Sequence, residues 1–278
     1  MTITRENIQR YKQFLVEEEK SCATIEKYIR DITAFFAWVT NCEIDKLTVL
    51  RYKEYLTVNY APASVNSILS SLNSFFDYNE WHKLKVKMLK IQKQIFAKKN
   101  KELTKAEYER LLDAAKLKKN ERLYFLMQTI CASGIRVSEI KEITVEAIKA
   151  GEAIIKCKGK MRVVILPKNL CKMLGEYAKR KGITSGAVFV TKTGKPLDRS
   201  TIWKMMKALC ESAGVLGEKV FPHNLRHLFA RTYYTLQKDI VRLADILGHS
   251  SINTTRIYTM ETGEIHRRQI QQLELLRL

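Results

Sequence analysis

Apolar residues recur every three or four positions through most of the first 80 residues, a spacing that places side chains on one face of an α-helix. It predicts helices around residues 8–15, 25–39 and 65–76, with a shorter helix at 49–56. No glycine occurs before Gly134, and Pro62 is the only proline before that position. We therefore predict an N-terminal unit of four helices that ends near Trp81.

A second helical unit is predicted to begin at Thr104-Lys105-Ala106-Glu107. This is a capping box, in which the Thr104 hydroxyl accepts a hydrogen bond from the backbone N–H of Glu107 and the Glu107 carboxylate reaches back. The pattern predicts one helix from there through about Ala115 and another helix through Ile130.

After these helices the periodicity changes from helical to alternating. Apolar and polar residues alternate over 153–157 and 162–167 on either side of a basic turn, which predicts a β-hairpin. Residues 188–190 are predicted to form a further short strand, and helical spacing returns from Ile202. The second unit is therefore expected to be mainly helical with a small β-sheet.

The net charge of the chain indicates what kind of partner it binds. Lys and Arg number 49 against 29 Asp and Glu, a formal charge of +20, and 46% of the residues are hydrophobic. A folded protein with so positive a field is expected to bind a polyanion. No apolar run approaches the ~20 residues of a membrane-spanning helix and no signal segment opens the chain, so we expect a cytoplasmic protein without membrane contact.

The sequence offers no motif for a cofactor. Its six cysteines form no Cys-x-x-Cys pair, which predicts neither a zinc site nor a disulfide framework. No Walker-type phosphate loop and no acidic cluster for magnesium is evident. We therefore predict no metal and no cofactor.

A run of basic residues separates the two units. Residues 82–101 contain eight lysines and no carboxylate, and we interpret them as a connector that lies along a phosphate backbone, the alternative being a solvated linker. The domain bounds that follow are 1–92, a linker at 93–102, and 103–278. The lysines expected to contact DNA are Lys83, Lys85, Lys87, Lys90, Lys93, Lys98 and Lys99, with Lys160 beside the hairpin turn.

Four short segments of the second unit collect basic and nucleophilic side chains. Each is common when it occurs alone: an arginine after a glycine is often a surface residue, and Leu-Gly-His is often only the end of a helix. In chain order, the basic or nucleophilic residues singled out from these segments are Arg136, Lys158, His223, Arg226, His249 and Tyr258.

Together these residues resemble the catalytic pattern of the tyrosine recombinase (phage integrase) family, which runs Arg, hairpin Lys, His-x-x-Arg, His, Tyr. None of the six is missing or substituted. The stretch from Leu247 to Tyr258, LGHSSINTTRIY, is similar to the most diagnostic segment of the family nearly residue for residue.

The resemblance implies a two-domain DNA clamp, with an N-terminal SAM-like four-helix core-binding domain and a mixed α+β catalytic domain. It implies a site-specific recombinase that cuts and rejoins strands through a 3′-phosphotyrosyl link and a Holliday junction, without metal or ATP. The expected partners are double-stranded DNA with inverted-repeat core sites, a second copy on each site, and a homotetramer in the synapse. The chain begins directly with the helical bundle, which favours a compact, Xer-like or transposon-resolvase type.

The chemistry of phosphodiester cleavage requires fixed cations, because negative charge builds on the phosphorus. The resemblance implies that Arg136 and Arg226 bind the phosphate oxygens and that His249 donates to a non-bridging oxygen. Glu139 lies three residues after Arg136, on the same helical face, and is expected to orient a catalytic side chain; the alternative is a surface ion pair.

The remaining roles concern proton transfer and attack. By resemblance, Tyr258 is the nucleophile, assisted by a base such as His223, and Lys158 protonates the leaving 5′ oxygen. His227 follows Arg226 directly, so we expect it to point elsewhere.

Two other functions stay open at this point. A type IB topoisomerase-like enzyme would use the same tyrosine chemistry to relax DNA, and a regulator would bind DNA without cutting it. The terminal segment 264–278 carries an apolar stripe through Ile270, Leu273 and Leu276. It is predicted to form a helix that is either exchanged with a neighbouring protomer, as the resemblance implies, or packed on its own domain.

Overall fold

The chain divides into two compact units, residues 1–93 and 94–278. The structure is a computed structural model and describes residues 4–39, 43–91, 102–157, 160–258 and 271–272. In the first unit it contains α1 (Arg5–Glu17), α2 (Cys22–Trp38), α3 (Lys46–Asn59), α4 (Pro62–Tyr78) and a short 3₁₀ helix, His82–Leu84.

The four predicted helices of the first unit are confirmed. Helices α1, α2 and α3 each have a side-chain N-cap, supplied by Thr4, Ser21 and Asp45. Each cap oxygen accepts a hydrogen bond from the backbone N–H three residues later in the chain. Helix α4 starts at Pro62. Helix α3 is longer than predicted because the Asp45 cap and polar residues extend it beyond its buried positions.

The lysine run begins inside the first unit. Leu84 and Val86 are buried there, and Asn73 both donates to the carbonyl and accepts from the N–H of Val86, each at 2.9 Å. Asn66 holds Leu89 by the same pair of bonds, at 2.9 and 2.7 Å. The part of the proposed connector over residues 82–91 therefore belongs to the first unit, inside the predicted domain bound at 92, because its apolar residues are buried in this core.

The lysines of this segment point outward. Lys83, Lys85, Lys87 and Lys90 are exposed, and the Lys85 ammonium pairs with Asp77 at 2.7 Å, a carboxylate from the preceding helix. The predicted DNA contacts Lys93, Lys98 and Lys99 lie outside the described residues, as does the side chain of Lys160.

The second unit is mainly helical. The capping box at Thr104 is confirmed, since the Glu107 N–H donates to the Thr104 hydroxyl at 3.2 Å and the Thr104 N–H donates to the Glu107 carboxylate at 2.8 Å. The elements in chain order are α5 (Lys105–Leu117), α6 (Glu121–Ser133), a 3₁₀ helix Val137–Glu142, α7 (Val145–Ala150), β1 (Glu152–Cys157), β2 (Lys160–Ile165), α8 (Lys168–Arg180), α9 (Arg199–Lys207), α10 (Cys210–Ala213), a 3₁₀ helix Gly217–Lys219, α11 (Pro222–Gln237), α12 (Ile240–Leu247), α13 (Ile252–Thr255) and a 3₁₀ helix Arg256–Tyr258.

Strands β1 and β2 form the predicted antiparallel hairpin. Its register pairs Ile154 with Val163, both exposed, while Ile155 and Val164 face the core. The strand predicted at 188–190 is wrong, because in the described chain this segment makes only isolated bridges, Thr144 with Ala187 and Val190 with Pro196. The run is apolar because Val188 and Phe189 are buried. A turn begins at Lys192, so the segment is too short to pair in a continuous β-ladder.

Helix α6 lies at the centre of the second unit. Leu126, Met127 and Ile130 are fully buried, and α6 packs against α11. This packing brings the C-terminal end of α6 next to the middle of α11, where the basic and nucleophilic residues singled out from the sequence meet. Within the described ranges, no helix combines the length and apolarity needed to cross a membrane.

Candidate active site

Arg226 is the most deeply placed cation of the site. It lies on α11, only 1% exposed, and donates to the carbonyl of Gly134 at 2.5 Å and to the carbonyl of Leu247 at 2.7 Å. Burial, and then the charge of Arg136, lower its pKa to about 10, so it remains charged at neutral pH. Its Nε is buried and has no hydrogen-bond partner among the residues that the structure describes.

Helix C-termini supply the acceptors for this cluster. Gly134 ends α6 and Gly248 ends α12, each in the left-handed conformation with φ of 64° and 63°. The last carbonyls of a helix lack intrahelical donors and carry partial negative charge, so they attract cations. Arg226 donates to a carbonyl at the C-terminal end of each of these two helices. Arg136 donates to the Gly248 carbonyl at 3.1 Å.

Glu139 joins two arginines. One of its carboxylate oxygens accepts from Arg136 Nη1 at 3.0 Å, and the other accepts from the Arg136 backbone N–H at 3.0 Å and from Arg162 Nη2 at 2.5 Å. Burial alone would raise the pKa of Glu139, but the hydrogen bonds and charges of the two arginines outweigh it and lower the pKa. Glu139 is therefore an ionised bridge and not a surface ion pair.

His249 is held from both sides of its ring. Nδ1 lies 2.9 Å from the Thr255 hydroxyl, and Nε2 lies 3.0 Å from Arg226 Nη2. Burial and the charges of Arg226 and Arg136 lower the pKa of His249 to about 4, so the ring is neutral. Because arginine can only donate, Nε2 accepts and Nδ1 carries the proton. In this arrangement His249 is not the free donor that its predicted role requires.

Tyr258 is buried within the same cluster, 4% exposed, on the 3₁₀ turn that follows α13. It belongs to one apolar cluster with Ala230, Leu243 and Leu247, and its ring lies nearly parallel to His249, with 5.9 Å between centroids. Tyr258 lies near enough to Arg226 to offset part of the pKa lowering that burial causes there. The candidate nucleophile and the most buried cation of the site thus share His249 as a neighbour within one chain.

Two further histidines continue the cluster along α11. The centroid of His227 lies 4.6 Å from that of His223 and 4.6 Å from that of Tyr258. Burial, then neighbouring charges, lower the pKa of His227 to about 4 and also lower the pKa of His223. The expectation that His227 points elsewhere is wrong, because positions i and i+4 of a helix share a face and His227 is i+4 from His223.

A cavity of about 510 Å³ opens beside these residues. Arg136, His223 and Arg226 line it, together with Arg199 and Trp203 from α9. In the described part of the chain, no group of three or more His, Cys, Asp or Glu side chains is placed to hold a metal ion. The cavity and the arginine bridge beside it instead hold four guanidinium groups and one carboxylate, a lining suited to a phosphate.

Five of the six residues predicted from the sequence therefore meet in one place, namely Arg136, His223, Arg226, His249 and Tyr258. Lys158 lies outside the described residues, between β1 and β2 in the sequence.

Comparison with known proteins decides the family. The profile of the phage integrase family matches residues 101–264, and the profile of the phage integrase N-terminal SAM-like domain matches residues 8–83. The chain belongs to the phage integrase family. The family profiles thus cover both units, including every residue of the cluster.

Relatives match this integrase-family chain over most of its length. It is 28% identical over 283 residues to the tyrosine recombinase XerA of Thermococcus kodakarensis, covering 98% of this chain and 96% of the relative. Its fold matches a lambda integrase dimer bound to a core site, with a TM-score of 0.76, 18% identity, and coverage of 95% of this chain and 97% of that one. A lambda integrase tetramer on a Holliday junction matches with a TM-score of 0.74 and 20% identity, over 92% of this chain and 77% of that one.

Sequence reasoning missed several residues of this integrase-family site. His227 could have been predicted, because it is four residues after His223 and so shares its helical face. No comparable local pattern points to Arg162, Arg199 or Trp203. Arg162 looks like an ordinary strand residue of the hairpin, and Arg199 like an exposed residue at the start of a helix. Their place in the cluster follows only from the packing of distant segments.

Proposed function

We propose that this tyrosine recombinase cleaves DNA by attack of the Tyr258 hydroxyl on a phosphodiester held by Arg136 and Arg226. The observation that supports this most strongly is the burial of Tyr258 against His227 and His249, beside a cavity lined by arginines. Attack joins the phosphorus to the tyrosine oxygen and releases a 5′ hydroxyl. The 3′-phosphotyrosyl link conserves the energy of the broken bond, so a second 5′ hydroxyl can reseal it without ATP.

The arginines stabilise the charge that builds during attack. Arg136 and Arg226 are already fixed by helix-end carbonyls, so little reorganisation is needed when a phosphate arrives. Glu139 offsets part of the positive charge of Arg136 and Arg162 but leaves the cluster positive. A bound phosphate would balance the remaining positive charge. It could also accept from the Arg226 Nε, which has no partner in the described part of the chain.

The histidines handle the proton. His223 has a lowered pKa, so at neutral pH it is uncharged and able to accept the proton of the tyrosine hydroxyl. A phosphate oxygen that replaces His249 as the acceptor for Arg226 would free His249 Nε2. With the proton moved to Nε2 and Nδ1 accepting from the Thr255 hydroxyl, His249 becomes the donor to a non-bridging oxygen.

Lys158 is proposed to protonate the leaving 5′ oxygen. The Lys158→Ala variant should cleave slowly, because an alkoxide is a poor leaving group without a proton donor. A substrate with a 5′-bridging phosphorothiolate should restore much of the rate, since sulfur leaves without protonation. The measurement is the single-turnover rate of covalent adduct formation on both substrates. Absence of rescue would contradict this role, and Lys160→Ala, at the neighbouring candidate, serves as the comparison.

These rates require a defined DNA probe. Footprinting the protein on the DNA that flanks its gene identifies an inverted-repeat site. A duplex carrying that site, with a nick that lets the released fragment diffuse away, traps the covalent adduct. We refer to it as the suicide substrate.

The proposed active assembly is a dimer on each inverted-repeat site and a tetramer in the synapse. The lambda integrase structures, a dimer on a core site and a tetramer on a Holliday junction, support this by similarity of fold. The terminal segment 264–278, of which the structure describes only residues 271–272, is proposed to be the helix exchanged between protomers. Because recombination takes place on cellular DNA, we propose the cytoplasm as the location.

Ending the chain after Gly263 should leave a folded protein that binds a single site but forms few tetrameric synapses. Burial of three or four apolar side chains at ~1.5–3 kcal/mol each is enough to matter for assembly after ordering costs. Gel-shift assays resolve one-site and two-site complexes, and circular dichroism checks folding. Normal synapsis by the truncated protein, or loss of folding in the free state, would contradict the exchange.

Family membership favours recombination over the two alternatives. A topoisomerase-like enzyme would relax a plasmid that carries one site, whereas a recombinase exchanges strands between two sites. Plasmids with one site and with two sites, assayed side by side, separate these outcomes. A DNA-binding regulator would yield neither product and no adduct.

A further inference from the structure

Arg162 is a cation of the site that the reaction steps above do not use. It lies on β2, four residues after Lys158, with its side chain 16% exposed. Its Nη2 donates to Glu139 at 2.5 Å, and its Nη1 donates to the Ile246 carbonyl at 3.0 Å. One side chain therefore joins the catalytic hairpin to two other segments of the site.

We propose that Arg162 is a positioning residue that fixes the phosphate-binding arginines and the loop of His249. This inference rests on the proposed function, because it concerns how the site is held for cleavage. Arg162 touches no reacting atom in the proposed chemistry. It acts through Glu139 on one side and through the end of α12 on the other.

The first action of Arg162 is electrostatic. Glu139 shares its carboxylate between Arg136 and Arg162, so Arg136 binds it through one guanidinium nitrogen and keeps other donors for the phosphate. Without Arg162, the second oxygen of Glu139 would lose its cation and pair more fully with Arg136. Such bidentate pairing turns the Arg136 donors away from the substrate.

The second action of Arg162 is on the backbone. The Ile246 carbonyl precedes Leu247, whose carbonyl holds Arg226, and it lies three residues before His249. Fixing the end of α12 therefore fixes an Arg226 acceptor and the start of the histidine loop together. Three arginines thus bind three successive carbonyls, those of Ile246, Leu247 and Gly248.

The close packing at Gly248 supports this placement. A Cβ on Gly248 would overlap the Cδ of Arg162, and Arg162 is pinned at both ends of its guanidinium. The Cδ is in the middle of the side chain and cannot move aside without breaking one of those bonds. Glycine is needed here both for its left-handed φ of 63° and for the passage of Arg162.

Arg162→Ala and Arg162→Lys test the proposal in the full-length protein. Both should slow single-turnover cleavage of the suicide substrate by about 10- to 100-fold, the range typical of residues that orient catalytic ligands. Affinity for the uncleaved duplex should stay within about threefold, since Arg162 is held by protein groups and not by DNA. The lysine variant keeps the charge but has one ammonium for two acceptors that lie apart.

A methylphosphonate at the scissile position gives a readout that a structural role would not move. Methyl in place of one non-bridging oxygen removes the phosphate charge, so cleavage depends less on Arg136. The rate ratio of wild type to Arg162→Ala should shrink on this substrate, as it should for Arg136→Ala. The ratio for Lys158→Ala should not shrink, because the leaving oxygen is unchanged.

Arg110→Ala is the matched control. Arg110 donates to the Ala213 carbonyl at 3.0 Å, so it holds a helix end as Arg162 does, but it lies outside the cluster. Its loss should lower thermal stability without changing the cleavage rate. Gly248→Ala approaches Arg162 from the other side, and its effect should be smaller in the Arg162→Ala background than in wild type.

The outcomes separate the two levels of the proposal. If wild type forms no adduct on the suicide substrate, the proposed function itself fails. If wild type cleaves and Arg162→Lys cleaves equally fast, or its defect is unchanged on the methylphosphonate, the positioning role is overturned. Should Arg162→Ala not fold, Arg162→Lys alone decides between these results.

Discussion

The Tyr258→Phe variant should fold, bind its DNA site like wild type, and form no covalent adduct. The change removes only the hydroxyl, so the ring keeps its place in the apolar cluster with Leu243 and Leu247. Arg226 keeps its bonds to the Gly134 and Leu247 carbonyls, so the expected loss of stability is about 1 kcal/mol. Cleavage is lost because phenylalanine has no oxygen to attack the phosphorus.

The assay is SDS gel electrophoresis of the protein with the suicide substrate. Tyr234→Phe is the matched control, since Tyr234 packs against the same apolar cluster but is not in the proposed set. It should form the adduct at the wild-type rate. An SDS-resistant complex with Tyr258→Phe would show that Tyr258 is the wrong residue.

The Arg226→Lys variant should lose at least about 100-fold in cleavage rate, comparable to removing one donor from an oxyanion site. A lysine keeps the charge, but one ammonium cannot bind two carbonyls, meet His249 and hold a phosphate in the geometry of a guanidinium fork. The full deletion, Arg226→Ala, is less informative. It would leave the buried carbonyls of Gly134 and Leu247 without donors and would also reduce stability.

Single-turnover cleavage and thermal unfolding are measured together for this variant. Arg122→Lys is the matched control, because Arg122 donates to the Val190 carbonyl at 2.6 Å. Like Arg226, it has a buried Nε with no partner within the described ranges. It should show a similar change in stability and an unchanged rate. A wild-type rate for Arg226→Lys would contradict a phosphate-binding role.

Local signals predicted much of the fold. The Thr104 capping box and the alternating pattern on both sides of the hairpin are short-range features, and both are present. The strand predicted at 188–190 failed because a short apolar run is the same for a strand and for a buried loop. A strand and a buried loop differ in whether the segment pairs in a continuous ladder or in isolated bridges. Here the described chain shows isolated bridges to Thr144 and Pro196, and such pairing depends on residues outside the segment.

The candidate residues were predictable from their order along the chain, but their supports were not. Arg226 is separated from Gly134 by 92 positions, and Arg136 from Gly248 by 112. Such contacts between side chains and helix-end carbonyls leave no local pattern. For the same reason Arg162 was missed, although it lies close to Lys158 in sequence. The tautomer of His249 likewise depends on Arg226, which is 23 positions away.

The most direct test of Tyr258 as the nucleophile is the chemical identity of the protein–DNA link. The adduct on the suicide substrate is digested with nuclease and trypsin and analysed by mass spectrometry. Cleavage after Arg256 and Arg267 yields a peptide over residues 257–267 with Tyr258 as its only tyrosine. The predicted result is this peptide carrying a nucleotide through its 3′ phosphate, with a free 5′ hydroxyl on the released fragment. A nucleotide on any other peptide, or a link through a 5′ phosphate, would contradict it.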